Sequence, residues 1–281
     1  MCKSKQIILV LGLLIASWSD PAASRSPESN CDEGLVPGHA VTFFMDFTDP
    51  VGEAARMEAE HTLHRYRDEL EQGDRLTVFA LHAPAENQDA VLAPIFSACK
   101  PQPPSTANRW IQNPAKIKER YKVTWHEPLT GIAAVLAQND SAKAATSPLL
   151  MKLKEISIAR EFQAQQRTLV LYSDLLEHTP LFSMYDTQPD FAALQAKGFA
   201  PLDVEGLFRN TEVRITRLAN PEHRKQQTPV IERFWVDYFT AAGVGATGIV
   251  LNNLDRQGPG GELSHGDKDP SNRHPPRQAS R

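Results

Sequence analysis

Five short apolar runs recur along the chain: VTFFM (41–45), LTVFAL (76–81), TLVLY (168–172), VRITRL (213–218) and TGIVL (247–251). The first three are apolar at consecutive positions, as in strands covered on both faces. VRITRL alternates, which places it nearer a sheet edge. Between these runs, apolar residues recur every three or four positions. After Pro50, suited to a first helical turn, Val51, Ala55, Ala59, Leu63, Tyr66 and Leu70 mark one helix, closed by Gly73. Leu149, Leu153, Ile156, Ala159 and Phe162 mark another. Ile231, Phe234, Trp235, Tyr238 and Phe239 mark a third, ending before Gly243. Strands separated by helices predict an α/β fold: a doubly wound, mostly parallel sheet with helices on both faces. Residues 83–128 break the rhythm, with seven prolines and little periodicity. They read as a long Pro-rich insertion holding one helix near Ile117.

The two ends of the sequence differ from this middle. Lys3 and Lys5 precede an apolar run from Ile7 to Trp18, and Ala22 and Ser24 supply small residues at a cleavage site. That layout predicts a signal peptide over 1–24. The run is shorter than the roughly 20 residues needed to span a bilayer. No membrane span is therefore expected after cleavage; an uncleaved N-terminal anchor is the alternative. Residues 25–40 are a polar leader. From 252 to 281 only Leu254, Leu263 and Ala279 are apolar amid Gly, Pro and mixed charge, the composition of a disordered tail. The globular domain is thus expected over 41–251.

Composition narrows the partners. There are 34 acidic against 30 basic residues, a net charge of −4, which argues against nucleic acid. An extracytoplasmic location, periplasmic or secreted, gives the cysteines meaning. Cys31 and Cys99 remain after cleavage, and an even pair in an oxidising compartment is expected to form a disulfide. Two separate thiols are the alternative.

In a doubly wound sheet, ligands bind beyond the carboxyl ends of the strands. FFMDFTDP ends the first strand at Asp46, and LVLYSD ends the third run at Asp174. EPLTGIAAVLAQ places Thr130 and Gly131 just before an apolar helical run. Here the sequence resembles a von Willebrand factor A-like domain, whose metal-ion-dependent adhesion site opens with an Asp-x-Ser-x-Ser motif. Asp46 and Thr48 match its first and third positions, Thr130 the loop threonine, and Asp174 the last acid. WVDYFTAAGVGATGIVL also suits the closing helix–Gly–strand of that family. The resemblance implies a site for Mg²⁺, or Mn²⁺, built from Asp46, Thr48, Thr130 and Asp174. Pro50 departs from it, standing where the family has a hydroxyl. Asp49 does not replace that hydroxyl, because its position in the motif aims it elsewhere.

Other patterns are weaker. GVGATG has dinucleotide-loop spacing but follows a helix and leads into a strand, the reverse of the required context. His61 and His64 lie off the apolar stripe of the first helix and read as solvated. Ser173 and Asp174 are adjacent, so they cannot both face His178 as a triad, and no nucleophile elbow is present. Two functions follow. The resemblance implies an exported, non-enzymatic module that binds an unknown protein partner, with Leu181, Phe182, Met184 and Tyr185 as contacts or as a local lid. The alternative is a Mg²⁺-dependent phosphohydrolase with Asp46 as nucleophile. Against it, Thr48 stands where such enzymes carry a second acid, and no Lys or Arg adjoins Asp174.

Overall fold

A computed structural model describes residues 31, 35–138, 143–186, 188–220 and 222–253. The expected signal segment and the tail beyond Asn253 lie outside the described residues. Six strands form one sheet: β1 (His39–Phe47), β2 (Arg75–His82), β3 (Val91–Cys99), β4 (Gln166–Ser173), β5 (Thr211–Arg217) and β6 (Ile249–Asn253). Their order is β3-β2-β1-β4-β5-β6, and all neighbours are parallel except β2 and β3. All five apolar runs became strands. VRITRL is one strand in from the edge, and TGIVL supplies the edge strand itself.

Residues 83–128 are not an insertion outside the sheet, because they contain β3. Pro94 lies in that strand, and the register with β2 shifts between Val78 and Phe79, so Ile95 has no paired residue. An edge strand tolerates both features, since one side of its backbone has no ladder to complete. The expected helix near Ile117 is α2 (Pro114–Tyr121), capped by the Asn113 side chain on the backbone N–H groups of Ala115 and Lys116. A π-helical turn at Lys122–His126 runs on directly into α3 (Glu127–Gln138).

The remaining helices follow the apolar periodicity. With α1 (Glu53–Glu69) placed before the sequence of α2, they are α4 (Leu149–Ile158), α5 (Phe191–Ala196) and α6 (Pro229–Ala241). Pro50 falls ahead of α1 rather than in its first turn. Gly73 and Gly243 follow their helices at φ 91° and 95°, a left-handed conformation that other residues adopt at a cost.

Alternation along the strands divides the core into two clusters. Phe43, Met45, Val78, Ala80, Val170 and Tyr172 pack with residues of α1 and α3. Phe44, Phe79, Leu81, Leu169, Leu171, Val213 and Ile215 pack with α4 and α6. Adjacent residues such as Phe43 and Phe44 therefore enter opposite layers, because successive strand side chains point to opposite faces. Each such side chain, fully buried, contributes about 1.5–3 kcal/mol of transfer free energy. With helices on both faces, the architecture is the expected doubly wound α/β fold.

Cys31 and Cys99 are joined, with Cα atoms 4.9 Å apart. Cys99 pairs with Arg75 at the start of β2, so the bond ties the leader to the amino end of the sheet.

Candidate carboxylate site at the carboxyl edge of the sheet

Central strands β1 and β4 lie side by side, with Met45 opposite Tyr172. Asp46 and Asp174 follow these positions and meet where β1 and β4 carry the chain to opposite halves of the sheet. Both are nearly inaccessible, 4% and 7% exposed. Asp46 Oδ1 accepts from Thr48 N at 3.1 Å and from Thr48 Oγ1 at 2.6 Å. Its Oδ2 accepts from Ser173 Oγ at 2.6 Å. Asp174 Oδ1 accepts from Leu176 N at 2.9 Å, and Oδ2 from Asn220 Nδ2 at 2.8 Å.

Asn220, in the loop after β5, holds the cluster together. Its Nδ2 also donates to Asp49 Oδ2 at 3.0 Å, and Tyr185 Oη donates to that same oxygen at 3.2 Å. Its Oδ1 accepts from the backbone of Glu222 and His223, and its own N–H donates to Gln227 Oε1. Gln227 Nε2 donates to the carbonyls of Asp174 and Leu218. Three loops, following β1, β4 and β5, are thereby joined through buried side chains.

Burial is the main influence on the acids. It raises the Asp46 carboxyl above its ordinary range against the pull of Ser173 and Thr48. Burial, and then the neighbouring Asp46 charge, raises Asp174 to about 8. At neutral pH the pair accordingly holds at least one proton.

Thr48 and Asp49 line one small cavity with Asp46, Asp174, Pro50 and Asn220. Asp49 thus points into the site, contrary to its position in the motif. Thr130 does not stand on a loop before a helix. The helical run extends back through the π-helical turn, so Thr130 lies within α3, exposed, and its Oγ1 donates to the His126 carbonyl at 3.0 Å. It is not among the residues lining the cavity.

Resident Mg²⁺ or Mn²⁺ does not fit this donor set. Each carboxylate oxygen of Asp46 and Asp174 already accepts from a protein donor, which leaves at most one lone pair on each for a cation. The cavity measures about 10 Å³, room for roughly one water, whereas Mg²⁺ keeps several. Among the described residues no group of three or more His, Cys, Asp or Glu is arranged to hold a metal ion.

Leu181, Phe182, Met184 and Tyr185 do not form one exposed surface. Leu181 alone is free, 80% exposed. Met184 is buried in the core, and Phe182 rests against Phe199 and Phe234. Tyr185 stacks on His223 at 4.1 Å and against His178 at 4.8 Å. The segment is a lid, held by backbone bridges from His178 to Ser147 and Ser183.

Sequence reasoning passed over Ser173 and Asn220 as members of this network. In the sequence Ser173 stands out only beside Asp174 and His178. Asn220 carries one signal, its place just beyond a strand's carboxyl end.

The fold and site together define a doubly wound α/β domain with a buried carboxylate cluster at the carboxyl ends of its central strands. No family model matches the sequence, and no curated protein matches it. Solved structures with a similar chain path include an aerotolerance-related membrane protein from Bacteroides fragilis, 11% identical over 76% of this chain and 91% of that one (TM-score 0.39). The SpRpn10 VWA domain is 8% identical over 78% and 88%, with TM-score 0.38. The human COPII-coat protein Sec24c is 10% identical over 79% of this chain but only 30% of that one, with TM-score 0.35. At these scores the similarity carries no argument about ligand or partner.

Proposed function

We propose that this chain is an extracytoplasmic, non-enzymatic protein-binding module of von Willebrand factor A-like fold that works without a resident metal ion. The observation that carries this is the pair of hydrogen-bond sets around the buried Asp46 and Asp174, the second reaching through Asn220 to the half-buried Asp49 and Tyr185. It orders three loops at the end of the sheet where doubly wound domains bind. The Cys31–Cys99 bond supports an oxidising compartment.

The phosphohydrolase reading finds no support in the geometry. A nucleophilic carboxylate needs a free lone pair directed at the phosphorus. Asp46 is covered and bonded at both oxygens, and about 10 Å³ cannot admit a phosphoryl group.

The test is crosslinked capture of partners by the tagged protein from an extracytoplasmic fraction, with and without chelator, beside an Asn220→Ala variant. The expected result is a captured protein that persists in chelator and is lost with Asn220→Ala. Capture abolished by chelator would overturn the metal-free reading. Hydrolysis of a generic phosphate ester, abolished by Asp46→Asn, would overturn the non-enzymatic one.

A further inference from the structure

Between β3 and α3 the chain makes an excursion that the carboxylate site does not explain. At its tip Trp110 is 95% exposed and Ile111 81% exposed. Two consecutive large apolar side chains so far out of the core are uncommon, and the local structure holds them there. Asn108 Oδ1 accepts from Trp110 N, and the Asn108 carbonyl accepts from the backbone of Ile111 and Gln112. The side chains of Gln102 and Gln112 bond each other in both directions, and Gln112 Oε1 also accepts from Asn108 N. A polar brace therefore builds the turn and leaves the two apolar groups in water.

Charge separates this tip from an ordinary surface loop. Residues 109–122 carry Arg109, Lys116, Lys118, Arg120 and Lys122 against the single acid Glu119, in a chain of net charge −4. All five basic residues are exposed. Lys122 pairs with Glu127 at 3.1 Å on the surface. A tryptophan beside an aliphatic side chain, with five Lys and Arg within twelve residues of it, is the composition of an interfacial anchor for anionic bilayers.

Location agrees. Because β3 is antiparallel to β2, its Cys99 end lies beside Arg75 at the amino end of the sheet, away from Asp46. The excursion starts there, next to the disulfide that holds the leader.

We propose that this prong docks on an anionic lipid surface, with Trp110 and Ile111 entering the headgroup region and the basic residues facing lipid phosphates. The carboxylate end of the sheet then faces away from the bilayer.

The experiment uses the chain from Arg25 onward, which retains every residue of both core clusters. Co-sedimentation is measured with phosphatidylglycerol-containing vesicles and with phosphatidylcholine alone, together with tryptophan emission. Binding to the anionic vesicles with a blue shift is expected. Trp110→Ser with Ile111→Ser should abolish the shift, and Lys116→Glu with Lys118→Glu should lower partitioning at least about tenfold. Leu181→Ser should leave binding intact. Absence of binding at about 0.1 M salt, or unchanged binding by a folded Trp110→Ser/Ile111→Ser protein, overturns the proposal. Retention on polyglutamate without vesicle binding also overturns it, and reassigns the prong to an acidic protein surface.

Discussion

Glu177 offers a sharp test of the structure because it is a buried acid outside the Asp46–Asp174 pair. Its Oε2 accepts from Leu150 N at 2.9 Å in the first turn of α4, and its side chain is almost fully covered. Burial raises the carboxyl from 4.5 to about 8, outweighing the backbone donors of Leu150 and Leu149 that favour the charged form. The folded protein therefore keeps this proton at neutral pH. Below 4.5 both states are protonated and the contribution is fully present. As pH rises from there to about 8, the unfolded chain ionises first, and stability is progressively lost. At about 1.4 kcal/mol per pH unit the whole window amounts to roughly 5 kcal/mol, an upper bound because local relaxation lowers it. Glu177→Gln keeps the shape and the oxygen facing Leu150 but cannot ionise. Urea unfolding at pH 5 and pH 9 should show the wild type losing about 2–5 kcal/mol more than the variant. Asp46 and Asp174 bend both curves in the same direction, so the difference between the two proteins reports Glu177 together with its interaction with the Asp46 charge. Parallel pH dependences for the two proteins would refute the reasoning.

Four further outcomes are expected. Reducing the Cys31–Cys99 bond, which spans 68 residues, should cost about 4 kcal/mol in denaturant titrations under reducing against non-reducing conditions. Asn220→Ala strips a donor from the buried Asp174 and from the half-buried Asp49 and should cost about 1–3 kcal/mol, with faster amide exchange in the loops after β1, β4 and β5; unchanged exchange would count against the network. Millimolar Mg²⁺ or Mn²⁺ should leave the melting temperature unchanged, and a rise that Asp46→Ala removes would reinstate the metal site. Met184→Ala should cost about 2–5 kcal/mol while Leu181→Ser stays near neutral in the same unfolding assay, because only Met184 is in the core.

The fold was legible in the sequence where the physics is local. Strands with both faces buried, such as VTFFM and TLVLY, need apolar residues at every position, and such runs stand out. β3 escaped because an edge strand needs only part of one face covered, so VLAPIFSAC could carry a proline and a bulge. Asp46 and Asp174 were readable as polar breaks at the ends of apolar runs. Thr130 reads as a loop residue because the apolar stretch begins after it, whereas Glu127 and the preceding π-helical turn carry the helix further back. Asn220 was hidden for a different reason. Its partner Asp174 is 46 residues away in sequence, and nothing local marks a loop amide as the link between two acids.

The sheet order also sets a timetable for folding. β1 is central, and one of its edges pairs with β2 about a helix's length later in the chain. Its other edge must wait for β4, and the Asp46–Ser173 bond joins groups 127 residues apart. The disulfide closes wholly within the first three strands. A chain oxidised before its second half arrives has its first three strands tied to the leader while the other backbone edge of β1 stays unpaired. Non-local pairing of this kind is slow, and an open edge invites aggregation.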